Sequence, residues 1–242
     1  MSGHSKWNNI KQKKGKTDAQ RAKIFTKISR EIIVAVKESG GDPSANSKLR
    51  DVIAKAKAAN VPNDNIKRVI ERASGSGDNV SYEMNTYEGY GPSGIAVIVE
   101  TMTDNKNRTA SEMRHYFDKY GGNMGQEGCV SWSFDKKGVI IIDNEDAKLD
   151  EETVMMDALE SGADDFEAEE GIFEIYTAPD AFSDVRTKLE EKSYAFLSAQ
   201  VEMVPQNYIK LESDDDVIKM EKMLSMFEDN DDVQNVWHNW EQ

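Results

Sequence analysis

Ser74-Gly75-Ser76-Gly77-Asp78-Asn79 divides this chain into two kinds of sequence. Six small or polar residues, two of them glycine, offer no apolar period, which marks an exposed connection between folded units. Before it, apolar residues recur at helical spacings of three and four. After it the period shortens, and strand-like runs alternate with helical ones. Charge reverses at the same place. Residues 1–77 carry 17 Lys and Arg against 7 Asp and Glu, a net of +10, whereas residues 78–242 carry 13 against 38, a net of −25. The overall value of −15 hides that reversal. A polyanion would attract the first part and repel the second, so the chain would meet nucleic acid with its N-terminal end.

Upstream, Ile24, Ile28 and Ile32 follow one another at i+4, and Phe25 and Ile33 widen the stripe into a helical face. Thr17 with Gln20 reads as a capping box at its start, and Ser39-Gly40-Gly41 as its stop. Asp42 is expected to cap a second helix with Pro43 at its first position. That helix carries the stripe Leu49, Val52, Ile53 and Ala56. Asn60-Val61-Pro62 breaks it, and Asn63 is expected to cap a third helix with the stripe Ile66, Val69, Ile70 and Ala73. Three helices with one apolar face each make a small bundle over 1–77.

Downstream, Tyr82–Tyr90 and Ile95–Thr101 read as strands around a glycine-rich turn, and Asn105–Tyr120 reads as a helix ending at Gly121-Gly122. Cys129–Phe134 and Val139–Asp143 read as further strands. The stretches Val139–Ile142, Glu151–Glu160, Phe166–Ala168, Ile172–Thr177, Ala181–Glu191 and Val201–Val204 give strand, helix, strand, strand, helix, strand. A helix around Val217–Phe227 and a strand at Val233–Trp237 let the outer pieces form a similar set. The expectation is an α+β protein of three domains. An N-terminal three-helix bundle precedes two domains of ferredoxin-like layout, with 135–205 inserted into the one built from 78–134 and 206–242.

At 38% hydrophobic and 31% charged residues the composition is that of a folded, water-soluble chain. The longest aliphatic runs, Ile95–Val99 and Val139–Ile142, are far too short to span a membrane. The polar, basic start lacks the apolar stretch of a secretory signal, so a cytoplasmic address is expected. Cys129 is the only cysteine, which rules out an intrachain disulfide.

The residues offer little catalytic chemistry. Gly89-Tyr-Gly91-Pro-Ser-Gly94 matches the dinucleotide pattern in letters, but the aliphatic run Ile95–Val99 follows where a helix should open, so a hairpin turn is the better reading. His4, His115 and His238 stand in no metal-ligand spacing. Cys129 reads as a small buried hydrophobe rather than a nucleophile. The acidic runs Glu167–Glu170, Asp214–Asp216 and Asp229–Asp232 lack calcium-loop spacing and read as solvated element ends, although a Mg²⁺-dependent nuclease is a third reading to be tested. No enzyme, cofactor or metal is therefore expected.

The basic N-terminal segment points elsewhere. Lys6, Lys11, Lys13, Lys14 and Lys16 crowd one stretch around Trp7, and Arg21, Lys23, Lys27 and Arg30 continue along the first helix. Lysine and arginine neutralise phosphates and release counterions, and an aromatic among them offers a stacking surface. These ten residues are the expected nucleic-acid contacts, with Lys55, Lys57, Lys67, Arg68 and Arg72 as an extension. Lysines position without reading bases, and no dimer motif is evident, which favours structured RNA over a DNA operator. Basic proteins are a second class of partner, through the acidic body.

Several segments together resemble the YebC family. They are Gly3-His-Ser-Lys-Trp7, Asp42-Pro43 with Asn46 and Leu49-Arg50, Ala56-Lys57-Ala58, Asn60-Val-Pro62 with Asp64-Asn65-Ile66, and Tyr87–Gly94. Asp104-Asn105, Asn107-Arg108-Thr109, Gly121-Gly-Asn123, Val204-Pro205 and Asp231–Val236 continue the likeness over nearly the whole chain. Cys129 stands where serine is usual, and Asp164 where glutamate is usual. The resemblance implies a helical domain followed by two α+β domains, one inserted in the other, without enzymatic activity. It also implies regulation of gene expression, either as a DNA-binding transcriptional regulator or in translation at the ribosome, bound to promoter DNA or to ribosomal RNA.

Overall fold

The computed structural model describes residues 18–75, 81–145, 147–169 and 171–241, with backbone alone for 18–20. The chain opens with α1 (Asp18–Ser39), α2 (Ser47–Ala58) and α3 (Asn63–Ser74). Their apolar stripes meet in one core containing Ile28, Ile32, Ile33, Leu49, Val52, Ala56, Ile66 and Ala73. Gly40, at a φ of +86°, ends α1 in the left-handed conformation that only glycine adopts without strain. The cap of α2 differs from expectation. The Asp42 carboxylate accepts the Ser44 backbone N–H at 2.9 Å and makes a turn, while Asn46 caps the helix by accepting the Leu49 N–H at 2.9 Å. Asn46 is preferred there because its amide also donates to the Ala35 and Gly40 carbonyls, both at 2.8 Å. It thereby satisfies the end of α1 and the start of α2 with one buried side chain. Likewise Pro62 stands at the cap position of α3, and Asn63 is its first helical residue. The Thr17 capping box lies outside the described residues.

Beyond the bundle come β1 (Glu83–Tyr90), β2 (Ala96–Thr103), α4 (Lys106–Lys119) and β3 (Asn123–Met124). Then follow β4 (Phe134–Asp143), α5 (Glu151–Ser161), β5 (Asp165–Glu169), β6 (Ile172–Thr177), α6 (Phe182–Glu191) and β7 (Phe196–Pro205). The chain closes with β8 (Ile209–Lys210), α7 (Asp214–Asp229), β9 (Val233–His238) and β10 (Trp240–Glu241). Two four-stranded sheets result, in the orders β3-β1-β2-β9 and β5-β6-β4-β7. All their pairings are antiparallel. The protein is α+β, with a helical N-terminal domain and two α+β domains, one inserted in the other.

In the inserted sheet the sequence β4-α5-β5-β6-α6-β7 gives a ferredoxin-like layout. The outer sheet has the same spatial order with a different connection. Its β1 and β2 form a hairpin, so the second central strand comes at the start rather than after β3. Helices α4 and α7 cover one face, burying Val97, Val99, Met113, Phe117, Met220, Met223 and Phe227, with the Phe117 and Phe227 rings 5.1 Å apart. Gly89 lies in β1 where a Cβ would come within 2.5 Å of the Asn123 carbonyl oxygen, so β3 can approach only glycine. The literal glycine pattern is thus a hairpin, with a 3-10 turn at Pro92–Gly94.

Cys129–Phe134 is not the expected strand. The Glu88 carboxylate, on a residue only 3% exposed, accepts the backbone N–H groups of Gly128, Val130 and Ser131 at 3.0, 2.9 and 2.9 Å. Donors that would have served a sheet ladder are bound to one side chain, and the segment turns into a 3-10 turn at Ser131–Ser133. Burial pushes the Glu88 carboxyl up, but the N–H groups of Val130, Gly128 and Ser131 outweigh it and hold the group below its ordinary value. Burial first, then the Glu88 charge, raises the neighbouring Cys129 thiol, the reverse of what activates a nucleophile.

Candidate nucleic-acid interface and the joint behind it

Helix α1 presents Lys23, Lys27 and Arg30 at i, i+4 and i+7, one face of the helix. That face meets the C-terminal end of α7. The Lys23 ammonium donates to the Asp229 carboxylate at 2.7 Å and to the Asp229 carbonyl at 3.3 Å, and Lys27 donates to the Glu228 carbonyl at 2.9 Å. The last carbonyls of a helix have no partner within it and carry the negative end of its dipole, so cations fit there on both counts.

Arg30 goes deeper. Its guanidinium donates to the Met102 carbonyl at 3.0 Å, the Asp231 carbonyl at 2.9 Å and the Asp232 carboxylate at 2.7 Å, and it lies 5.2 Å from the centre of the Tyr82 ring. Asp232 also accepts from Arg108 at 2.7 Å, Thr109 at 2.8 Å and Thr103 at 3.0 Å. Its side chain is 6% exposed. Burial pushes its carboxyl up, but Arg108, Arg30, Thr109 and Thr103 outweigh that and hold it at about 2. One carboxylate therefore ties α1, the end of β2, α4 and the segment before β9 together.

Lys23, Lys27 and Arg30 are thus engaged with the acidic body of the chain. Arg21 is exposed, and Lys6, Trp7, Lys11, Lys13, Lys14 and Lys16 lie outside the described residues. Exposed cations elsewhere on the bundle include Lys37, Lys48, Lys57 at the end of α2, and Lys67, Arg68 and Arg72 on α3. Lys57 and Lys67 have no ion pair among the described residues, and Arg68 donates to the Asn65 side chain at 3.4 Å. Lys55 is turned inward and pairs with Glu31 at 2.8 Å.

Sequence reasoning missed the joint. By sequence, Arg108, Thr109 and Asp232 stand out only through the family resemblance, and the acidic run Asp229–Asp232 reads as a solvated element end. The available signal is the i, i+4, i+7 row of cations in α1, in which only Lys27 has an acidic residue, Glu31, at helical spacing.

Between the bundle and both sheets lies a cleft of about 390 Å³ lined by Lys48, Lys55, Glu100, Glu202 and Trp237 among others. Two of its carboxylates accept from neutral neighbours: the Asn235 amide donates to Glu100 at 2.7 Å, and the Trp237 indole donates to Glu202. No group of three or more His, Cys, Asp or Glu is arranged to hold a metal among the described residues. His238, partly buried in β9, is held neutral by the desolvation of its ring, its pKa pulled down to about 4. Among the described residues no helix is long and apolar enough to cross a membrane.

Two family models cover this architecture. The TACO1/YebC N-terminal domain matches residues 5–76, and the TACO1/YebC second and third domain matches residues 82–240. The chain belongs to the TACO1/YebC family. A probable transcriptional regulatory protein of Caldicellulosiruptor bescii is 59% identical over 242 residues, covering 100% of this chain and 99% of its own. One from Acetivibrio thermocellus is 60% identical over 240 residues, with 99% of both chains covered. The crystal structure of a conserved hypothetical protein from Aquifex aeolicus superposes with a TM-score of 0.83 at 41% identity, over 93% of this chain and 92% of that one. The TACO1/YebC assignment agrees with the segments quoted from the sequence, and the α+β architecture is shared with that neighbour.

Proposed function

We propose that this TACO1/YebC protein is a non-enzymatic, nucleic-acid-binding regulator of gene expression, acting through its basic N-terminal domain. The observation that carries the reading is the reversal of charge, a net of +10 over residues 1–77 against −25 over 78–242. The placement of the cations refines it. Lys23, Lys27 and Arg30 hold the bundle on the acidic body, so the binding surface consists of the segment containing Lys6, Trp7, Lys11, Lys13, Lys14 and Lys16, together with Arg21, Lys57, Lys67, Arg68 and Arg72. The names of the relatives, probable transcriptional regulatory proteins, support regulation of gene expression. Cations on short helices position a phosphate backbone without reading base edges, which favours structured RNA, ribosomal RNA included, over promoter duplex.

The test is a salt titration of binding to a ribosomal RNA hairpin and to a promoter-length duplex at matched ionic strength. The logarithm of affinity should fall steeply with that of salt, and the triple variant Lys57→Ala, Lys67→Ala, Arg68→Ala should flatten the slope by about two to three. Binding that is independent of salt, or a slope unchanged in the triple variant, would remove the bundle from the interface. Tighter binding to duplex than to hairpin would assign the surface to DNA.

A further inference from the structure

Trp132 is the most exposed large apolar side chain described, at 72%. It stands on the 3-10 turn between β3 and β4, and its position is fixed. Its indole N–H donates to the Cys129 carbonyl at 3.0 Å, and the Tyr90 hydroxyl, from the end of β1, donates to the same carbonyl at 3.1 Å. Tyr90 is itself 40% exposed. From beneath, the buried Glu88 carboxylate holds the same loop through three backbone N–H groups. Two aromatic side chains thus turn their polar atoms to one carbonyl and leave their rings in solvent. Aromatic groups fixed in this way lose little conformational freedom on binding, and Trp and Tyr supply much of the energy at protein interfaces.

The surroundings select the partner. Exposed Glu127 and Asp135 flank the turn in sequence, and Asp216 accepts from Ser93 at 2.6 Å in the turn that follows Tyr90. Residues 78–242 carry a net of −25. A nucleobase would bring its phosphates into this negative field. A guanidinium or ammonium gains from the field and from the negative face of the indole ring together.

We propose that Trp132 and Tyr90 form the seat for a cationic polypeptide segment of a partner protein, with an arginine lying over the indole. This surface is built from the sheet-bearing body rather than from the helices of the basic bundle, so the chain would hold a nucleic acid and a basic protein on different elements.

The probe is a fluorescein-labelled peptide of about ten residues alternating glycine and arginine, titrated with the full chain and followed by anisotropy. Binding is expected, and Trp132→Ala should weaken it roughly 3- to 30-fold, the range of a cation on an indole face. Trp132→Phe should weaken it less, because a ring remains. Replacing arginine by glutamine in the peptide should abolish binding. The triple bundle variant Lys57→Ala, Lys67→Ala, Arg68→Ala should leave peptide binding unchanged, which separates this inference from the nucleic-acid reading. Trp132 is exposed, so both variants should keep the wild-type unfolding midpoint. Equal affinity of wild type and Trp132→Ala would overturn the proposal. Loss of single-stranded oligouridylate binding in Trp132→Ala, without loss of peptide binding, would overturn it too, in favour of a base-stacking surface.

Discussion

Replacing Asp232 by alanine removes the acceptor for two arginines and two threonine hydroxyls at once. The two halves of the joint contribute unequally. Arg108 is 44% exposed in its side chain, and a solvent-facing pair of that kind contributes about 0–1 kcal/mol. Arg30 is 17% exposed and Asp232 6%, so the alanine variant leaves an arginine that is nearly buried with only two carbonyls as partners. Thr103 and Thr109, at 1% and 0% exposure, lose their charged acceptor, and with their oxygens 2.9 Å apart one hydroxyl can then donate to the other. Breaking a buried pair from one side costs about 3–5 kcal/mol, so about 3–4 kcal/mol is expected here, where two carbonyls still hold Arg30. Urea unfolding followed by circular dichroism would measure it, and hydrogen exchange in α1 would show the bundle loosening. Because the folded carboxyl titrates at about 2, below its ordinary 3.8, protonation favours the unfolded chain between those values. The contribution of this group is complete above pH 4 and is lost as pH falls through about 2. It amounts to about 2 kcal/mol that Asp232→Ala should lack. A cost under about 1 kcal/mol with unchanged exchange in α1 would refute the assignment of this carboxylate as the joint. By contrast, Lys23→Ala removes a pair whose side chains are 40% and 62% exposed, and should cost no more than about 1 kcal/mol.

Glu88→Ala should leave three N–H groups without their acceptor and cost about 3 kcal/mol, with faster hydrogen exchange at Gly128, Val130 and Ser131 as the specific readout; unchanged exchange there would sink the account of the loop. His238 is held neutral at about 4 against its ordinary 6.5, so the unfolded chain takes up the proton first and stability falls as pH drops from 6.5 to 4. The loss is about 3 kcal/mol by linkage, and His238→Gln should abolish that part of the pH dependence in urea midpoints measured at pH 7 and 4.5.

The helices were legible because each writes its own apolar period. Ile28, Leu49 and Ile66 sit in the core where the stripes put them. The cap of α2 was misread because Asp42-Pro43 satisfies the local rule for a helix start, whereas Asn46 wins on contacts with α1 that no local rule contains. The segment 129–134 alternates like a strand, and only the carboxylate of Glu88, some 40 residues earlier, diverts its N–H groups. The interface was legible in charge but not in direction. Sequence gives Lys23, Lys27 and Arg30 a shared face, and what that face meets depends on where α7 ends. Positive charge on a helix suits a phosphate and a helix terminus equally well, and only the tertiary structure separates them.

The pairing of β2 with β9 sets the order in which this protein can assemble. Val97 is opposite His238, so the outer sheet lacks an edge strand until the chain has been made as far as residue 238. The inserted sheet closes much earlier, between Phe134 and Pro205. During synthesis the bundle and the insert can therefore form while β2 still has a bare edge. Asp232 arrives only with the last strand, and Arg30 has no carboxylate to meet before then. Fixing the basic end to the acidic end therefore waits for the chain to reach Asp229–Asp232, and until then Lys23 and Arg30 lack the carboxylates they meet in the folded protein.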